Sequence, residues 1–219
     1  YHNEHEVHAF HRDKRCYTNS FENYSLDLLD FNQVQALFNQ INPDIVIHCA
    51  GLTSVDRCEI EPELAVATNV TVSENIAKAC CDKIKLIYIS SDQVYGETEF
   101  HSETNELLQP LNQYGKTKLL GERKIQELCT GYLILRTNIF WYNVKLGRIS
   151  SAEWIYKTIK NQEGIRLFSD YTFSPISTVC LGNMIFQLLV ADFSGIINVG
   201  SSAPCSKYEF GLQLAKEFD

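Results

Sequence analysis

Short apolar runs alternate with amphipathic stretches along most of the chain. The runs IVIHCA, KLIYIS and YLILR are almost continuously apolar, which is typical of strands covered on both faces. Between these runs, apolar positions recur every three or four residues, as they do in amphipathic helices. This alternation predicts an α/β fold with a doubly wound parallel sheet.

The same pattern gives approximate bounds for each element. The predicted strands are Glu6–Phe10, Asp44–Ala50, Ile84–Ser90, Tyr132–Thr137, Ile165–Phe168 and Ile196–Val199. The predicted helices are Phe31–Ile41, Glu61–Cys81, Gln113–Cys129, Ala152–Asn161, Val179–Ala191 and a last one that opens at Ser206. Asp30 is expected to cap the first helix, and Pro62 lies in the first turn of the second, where a missing N–H costs nothing. After Arg136 the alternation loosens, so we expect a smaller C-terminal lobe over the carboxyl edge of the sheet.

Composition narrows the class of protein. The 219 residues are 45% apolar and carry a net charge of −8, which argues against a protein that binds nucleic-acid phosphates. The longest apolar candidate, Met184–Val190, is far shorter than the roughly 18 residues of a membrane span. The eight cysteines are scattered without a Cys-x-x-Cys pair, so we expect reduced, buried thiols of a cytoplasmic protein. Four histidines recur every third residue from His2 to His11, but no single element makes them converge, so we expect no metal site.

Candidate chemistry lies where predicted strands end, because ligands bind at that edge of a parallel sheet. Tyr114 and Lys118 are four residues apart, so a helix would place them on one face. A nearby ammonium lowers the pKa of a tyrosine toward working pH and makes it a general acid or base. Ser91, at the end of an upstream strand, could bind the same carbonyl oxygen. The alternative is a solvated Tyr–Lys pair on the helix surface.

Three segments carry a resemblance to a known family: IYISSDQVYG, QPLNQYGKTKLLGE and LILRT. In this order and spacing they resemble the extended short-chain dehydrogenase/reductase family, and within it the dTDP-4-dehydrorhamnose reductase family. The stretches NPDIVIHCAGLTSVDRCEIEPELAVATNV and DYTFSPISTV are similar to the same family. The resemblance implies a Rossmann-like NAD(P)-binding domain over residues 1–137. It implies a mostly substrate-binding lobe over 138–219, with elements returning to the main sheet.

The resemblance also implies roles for individual residues. Ser91, Tyr114 and Lys118 match the catalytic triad, with Tyr114 as proton donor and Lys118 on the nicotinamide ribose. Asp27 and Leu28 match the pair that holds adenine, although a helix-entry turn would use the same residues. The further matches are the cofactor residues Gly51, Leu52, Thr53 and Asn69 and the substrate residues Ser91, Asp92, Asn138 and Ile139. The alternatives are a tight strand-to-loop turn for the glycine segment and a polar surface position for Asn69.

Three departures from the family pattern affect these expectations. The family begins with a strand and a Gly-x-x-Gly-x-x-Gly loop that binds pyrophosphate, and this first β–α unit is missing from the sequence. We therefore expect an internal fragment, truncated at both ends, or an incompletely ordered chain, with poor cofactor affinity for the sequence as written. His11 and Arg12 stand where NAD-preferring relatives have Asp, and a guanidinium suits a 2′-phosphate, which favours NADPH over NADH. Ile139 stands where the rhamnose-forming enzyme has an aromatic residue against the sugar.

The expected function is NADPH-dependent reduction of a nucleotide-linked 4-keto-6-deoxy sugar, with homodimer formation left open. One alternative is an epimerase or 4,6-dehydratase, although Gln93 cannot act as the base that a carboxylate would provide. Another is a non-catalytic subunit, because the regulatory β subunit of methionine adenosyltransferase resembles the same subfamily. A fold and a triad do not by themselves establish turnover.

Overall fold

The computed structural model describes residues 5–11, 21–80, 83–97, 102–103, 108–140 and 149–218. The strands are β1 His8–His11, β2 Glu22–Ser25, β3 Ile45–His48, β4 Lys85–Ile89, β5 Tyr132–Phe140, β6 Thr172–Phe173, β7 Pro175–Ser177, β8 Gly195–Val199 and β9 Cys205–Ser206. The α-helices are α1 Phe31–Ile41, α2 Val55–Ile60, α3 Pro62–Val66, α4 Val72–Cys80, α5 Gln113–Leu128, α6 Ser151–Lys160, α7 Thr178–Val190 and α8 Lys207–Phe218. A π-helical segment, Ala67–Thr71, joins α3 to α4, and a 3₁₀ turn, Asp92–Val94, follows β4.

The main sheet is parallel and runs in the order β3, β4, β5 and β8. β7 pairs in parallel with the far end of β5, where Asn138 lies opposite Pro175. β1 and β2 form a separate parallel pair, and β6 pairs antiparallel with β9. Parallel neighbours joined through helices confirm the predicted Rossmann-like α/β fold. The return of β8 to β5 shows that the C-terminal part of the chain also contributes to the main sheet.

The apolar runs form the interior of this sheet. Leu86–Tyr88 of β4 and Leu133–Leu135 of β5 are completely buried, as expected for central strands with helices on both faces. One core cluster packs α1 and α4 against the sheet, and a second places α7 against β5 and β8. β3 differs, because Ile45 and Ile47 remain exposed while the alternate residues are buried.

Helix ends follow the predicted capping chemistry, but one predicted helix is divided. The Asp30 carboxylate caps α1 by accepting hydrogen bonds from Asn32 N and Gln33 N, as predicted. The single helix predicted over Glu61–Cys81 is interrupted by the π-helical segment. The spacing of apolar residues alone does not distinguish a π turn from an α turn. Both continue the helix, and a π turn differs only in that its backbone hydrogen bonds span one more residue. The interruption matters because Asn69 lies within it.

The C-terminal region departs most from the predicted elements. No strand forms at Ile165–Phe168, although all four residues are described. Ile165 and Leu167 instead pack against a small cluster that contains Phe173 and Phe210, while Phe168 is 72% exposed. An alternating pattern becomes a strand only where a neighbouring strand is available to pair with it. α6, α7, β8 and α8 all form within a residue or two of their predicted bounds.

Two further expectations concern membranes and cysteines. Within the described ranges, no helix is long and apolar enough to cross a membrane. Among the described cysteines, the buried ones are Cys58, Cys80, Cys129 and Cys205. The expectation of buried thiols is wrong for Cys49 and Cys180, which are exposed. Cys16 and Cys81 lie outside the described residues.

Candidate active site

The ends of three neighbouring strands meet at one edge of the parallel sheet. Gly51 follows β3, Ser91 follows β4, and Asn138 lies toward the end of β5. α5 begins beside the turn that follows β4, and Asn112 caps it by accepting a hydrogen bond from Gly115 N at 2.7 Å. This is the edge at which open parallel sheets bind ligands.

Tyr114 and Lys118 lie one turn apart near the start of α5, on the side that faces the sheet. Lys118 is only 5% exposed, and its ammonium donates a hydrogen bond to Ile89 O at 2.7 Å. The same ammonium lies 4.0 Å from the centre of the Tyr88 ring, within cation–π range. Among the described residues, no carboxylate comes within ion-pair distance of it. The alternative of a solvated surface pair is therefore wrong.

The two side chains change each other's electrostatics. Burial raises the pKa of Tyr114, while the Lys118 ammonium and the Ser91 hydroxyl act to lower it. Because burial is the larger influence, the pKa lies above its ordinary value, and the expected net lowering by Lys118 is wrong in this structure. Burial also lowers the pKa of Lys118, and electrostatic interactions with Tyr114 and Glu122 oppose that effect. The phenol is thus protonated at neutral pH.

Ser91 and Asp92 form a short hydrogen-bonded turn after β4. The Ser91 hydroxyl accepts a hydrogen bond from Gln93 N and donates one to Asp92 Oδ1, both at 3.2 Å. Asp92 Oδ2 accepts from Asn138 Nδ2 at 2.6 Å, which joins the ends of β4 and β5. The structure therefore brings together the predicted residues Ser91, Asp92 and Asn138. Ile139, the next predicted residue, is 42% exposed.

Asn69 connects two walls of the site. It is 1% exposed, so the alternative of a polar surface position is wrong. Its side-chain oxygen accepts from Leu52 N at 2.7 Å, and its amide donates to Leu52 O and to Thr117 Oγ1. Thr117 directly precedes Lys118 on α5. The amide therefore fixes the strand end of β3 relative to the helix that carries Tyr114 and Lys118.

The remaining residues that the resemblance assigns to a cofactor occupy different environments. Gly51 and Thr53 are exposed at the strand end, and a Cβ on Gly51 would lie 3.0 Å from Asn69 Oδ1. Asp27 is exposed, and its carboxylate accepts a hydrogen bond from Leu29 N, which is the alternative helix-entry turn. Leu28 packs against the main core, His11 ends β1, and Arg12 lies outside the described residues.

The donor set tests whether a nicotinamide cofactor could be accommodated. An ammonium has three N–H groups, and Lys118 directs one of them to Ile89 O. The other donors suit hydroxyl groups such as those of a ribose. The ammonium is also close enough to Cys49, at the end of β3, for the two groups to interact electrostatically. The residues present thus fit such a group. Across the described residues, no cluster of three or more His, Cys, Asp or Glu side chains could hold a metal ion.

A buried ion pair that the sequence pattern does not predict lies beneath this edge. Arg136 Nη2 and Glu122 Oε2 are 2.7 Å apart, and both side chains are almost completely buried. Glu122 lies one turn beyond Lys118, so its helical spacing was a signal for the same face of α5. Its pairing with Arg136 depends on the contact between α5 and β5, which no local pattern encodes.

The parallel sheet, its flanking helices and the Ser–Tyr–Lys grouping define a Rossmann-like α/β protein with a polar site at the carboxyl edge. The chain belongs to the family whose model is described as RmlD substrate binding domain, which matches residues 2–219. This match confirms the resemblance to the dTDP-4-dehydrorhamnose reductase family.

Similar proteins extend the comparison. The chain is 31% identical over 198 residues to the probable low-salt glycan biosynthesis reductase of Haloferax volcanii, covering 88% of this chain and 66% of that protein. It is 31% identical over 201 residues to methionine adenosyltransferase 2 subunit beta of Xenopus laevis, covering 89% and 60%. The chain therefore spans less than two thirds of the length of these two relatives. The crystal structure of dTDP-4-dehydrorhamnose reductase from Bacillus anthracis in complex with NADP has a TM-score of 0.82 at 30% identity, covering 92% of this chain and 74% of that one.

Proposed function

We propose that this protein reduces the keto group of a nucleotide-linked 4-keto-6-deoxy sugar with NADPH. The observation that carries the proposal is the placement of Tyr114, Lys118 and Ser91 together at the carboxyl edge of the sheet. Two relatives add support, since one is named a reductase and the other is a reductase in complex with NADP. Because burial holds the pKa of Tyr114 above its ordinary value, the phenol is a proton donor at neutral pH, as reduction requires.

Each side chain has a separate task in this reaction. When bound, the nicotinamide cofactor supplies the hydride that reaches the carbonyl carbon. Tyr114 donates its phenolic proton to the carbonyl oxygen, which becomes the product hydroxyl. Ser91 orients that oxygen by hydrogen bonding, and the positive charge of Lys118 stabilises the phenolate that Tyr114 leaves behind. Solvent then returns a proton to Tyr114.

The neighbouring residues would hold the two ligands. Gly51, Leu52 and Thr53 would lie along the cofactor, with the Asn69 amide fixing their backbone. His11, Arg12, Asp27 and Leu28 are the proposed contacts to its adenosine part, and Arg12 is the basis for preferring NADPH to NADH. On the substrate side, Asp92 and Asn138 present a hydrogen-bonded pair, and Ile139 presents an exposed apolar surface to the sugar.

A non-catalytic subunit is the second candidate function. The observation in its favour is the 31% identity to a protein named as a subunit of methionine adenosyltransferase. A 4,6-dehydratase is less well supported, because the amide of Gln93 stands where a base would be needed. That amide is also engaged, since it donates to the Tyr171 hydroxyl and accepts from Asn112 Nδ2.

The test compares the Tyr114→Phe variant with the unaltered protein, each expressed from its complete coding sequence. We expect the rate of NADPH oxidation with a dTDP-4-keto-6-deoxy sugar to fall by about 10²-fold or more, because the proton donor is removed. The Kd for NADPH should change little, and NADH should support slower turnover than NADPH. Tyr208→Phe is the matched control, because Tyr208 is a half-exposed residue of α8.

Undiminished turnover by Tyr114→Phe would refute the assignment of the proton donor. Absence of NADPH oxidation by the unaltered protein with any keto sugar, together with co-purification of a catalytic partner, would instead favour the non-catalytic subunit.

A further inference from the structure

A fully buried ion pair lies directly beneath the candidate site. Arg136 Nε contacts both carboxylate oxygens of Glu122 at 3.1 and 3.2 Å, and Arg136 Nη2 contacts Oε2 at 2.7 Å. Burying two charges costs solvation energy that their attraction only roughly repays, and apolar residues of similar size often stabilise a core as well. Stability alone therefore does not account for this pair.

Within the described part of the chain, the other hydrogen bonds of the pair go to the turn that carries Ser91. The Ser90 hydroxyl donates to Glu122 Oε1 at 2.5 Å, and Ser90 immediately precedes Ser91. On the other side, Arg136 Nη1 donates to the Tyr95 hydroxyl at 3.0 Å, and Tyr95 follows the 3₁₀ turn. The turn that contains Ser91 is thus held at both of its ends by one ion pair.

The two charged residues also belong to the other walls of the site. Glu122 lies on α5 four residues after Lys118, so the two share a helical face. Arg136 lies on β5 two residues before Asn138, whose amide holds Asp92. A shift of the pair would consequently move α5, β5 and the turn after β4 relative to one another.

We propose that Ser90, Glu122, Arg136 and Tyr95, here called the buried charge cluster, position Ser91 relative to Tyr114 and Lys118. The inference rests on the reduction proposed above, and it makes these four residues positioning residues for that reaction. Hydrogen bonds and charges that are fully satisfied inside a core hold one arrangement, because every alternative leaves a buried group unpaired. Placement within about 0.5 Å is what an active site requires of its supporting residues.

The cluster also acts on the charge of Lys118. Its ammonium faces the Tyr114 phenol on its own helix, His48 and Cys49 at the end of β3, the Tyr88 ring on β4, and Glu122. Burial lowers the pKa of Lys118, and the negative charge of Glu122 raises it. Removing that charge therefore shifts the deprotonation of Lys118 to lower pH.

The test uses two variants, because Glu122→Gln leaves Arg136 without its counter-ion and risks unfolding. Ser90→Ala leaves the ion pair intact and removes only the hydroxyl that joins the pair to the turn. For Ser90→Ala we expect kcat to fall roughly tenfold with little change in either KM, since a misplaced catalytic group slows the chemical step rather than binding. Thr158→Ala is its control, because that buried hydroxyl donates to Trp154 O within its own helix, α6.

A second readout does not depend on turnover. Amide hydrogen exchange over residues 90–95 should become severalfold faster in Ser90→Ala, while α1 exchanges as in the unaltered protein. If Glu122→Gln folds, the fall in kcat at alkaline pH, where Lys118 loses its proton, should begin at a lower pH than it does in Glu127→Gln. Glu127→Gln is the control because it removes an exposed carboxylate from the same helix.

These readouts separate the two proposals. Absence of turnover in the unaltered protein would refute the proposed function. Hydrogen exchange over residues 90–95 would still show whether the buried charge cluster positions the turn that carries Ser91. Unchanged kcat and unchanged exchange at residues 90–95 in Ser90→Ala would overturn that claim. A uniform increase in exchange over the whole sheet would also overturn it, because it would show that the cluster only stabilises the fold.

Discussion

Replacing Gly115 with alanine is the most informative single perturbation of this site. Gly115 directly follows Tyr114 on α5 and packs against the turn that carries Ser91. A Cβ at this position would lie 2.0 Å from Gln93 O, 2.9 Å from Gln93 C and 3.0 Å from Pro110 Cβ. The obstacle is mostly backbone, which cannot rotate away as the end of a side chain can. The helix and the turn must therefore separate.

The size of the effect follows from these distances. Ordinary Cβ contacts begin at 3.4 Å, so relief of the 2.0 Å contact requires a separation of about 1.4 Å. Overpacking of this kind costs about 1–3 kcal/mol of stability. Misplacement of a catalytic group by about 1 Å lowers a rate by roughly 10²-fold. We expect Gly115→Ala to lose activity by about this factor while remaining largely folded at 25 °C.

The assay measures NADPH oxidation and thermal unfolding for Gly115→Ala beside a matched control. Gly182 also lies in a helix, and a Cβ there would meet nothing within 4 Å. Gly182→Ala should keep full activity and gain about 0.5–1 kcal/mol, the usual gain for replacing a glycine inside a helix. An unchanged Tm together with an unchanged rate in Gly115→Ala would show that the turn and α5 are not in close contact, and would contradict this prediction.

Two further predictions concern stability. Ser150 and Glu153 form a reciprocal capping box at the start of α6, so Ser150→Ala should cost about 1 kcal/mol and lower Tm by a few degrees without changing the Kd for NADPH; an unchanged Tm would contradict it. Burial, with a smaller contribution from Lys118, lowers the pKa of His48 to about 3. Between that value and the ordinary 6.5, the unfolded chain binds a proton at His48 that the folded protein excludes. The free energy of unfolding should therefore decline as the pH falls from about 6.5 toward 3. The denaturant midpoint should decrease less between pH 7 and pH 4.5 for His48→Gln than for the unaltered protein. An equal decrease in both proteins would exclude His48 as the cause.

Features encoded in local pattern were predictable from the sequence. The apolar runs at β4 and β5 predicted the central strands, because a strand that is buried on both faces has apolar residues at almost every position. The spacing of Tyr114 and Lys118 placed them on one helical face, and the expected cap at Asp30 is present. Ser91 could be placed beside them because neighbouring parallel strands end at the same edge.

Features that depend on tertiary contact were not predictable. β2 has the sequence ENYS, without an apolar run, and it exists as a strand because it pairs with β1. The net pKa of Tyr114 depends on burial that only the packed structure supplies. The pairing of Glu122 with Arg136 likewise requires α5 to lie on β5. The residues can be identified in the sequence, but their contact in the folded protein cannot be predicted from it.

Stoichiometry tests the central claim most directly, since a reductase consumes its cofactor and an epimerase recycles it. The measurement counts the NADPH oxidised for each molecule of sugar nucleotide converted, with both quantities determined in the same reaction. We predict one NADPH per product and loss of both signals together in Tyr114→Phe. Product formation without net oxidation of NADPH would contradict the account.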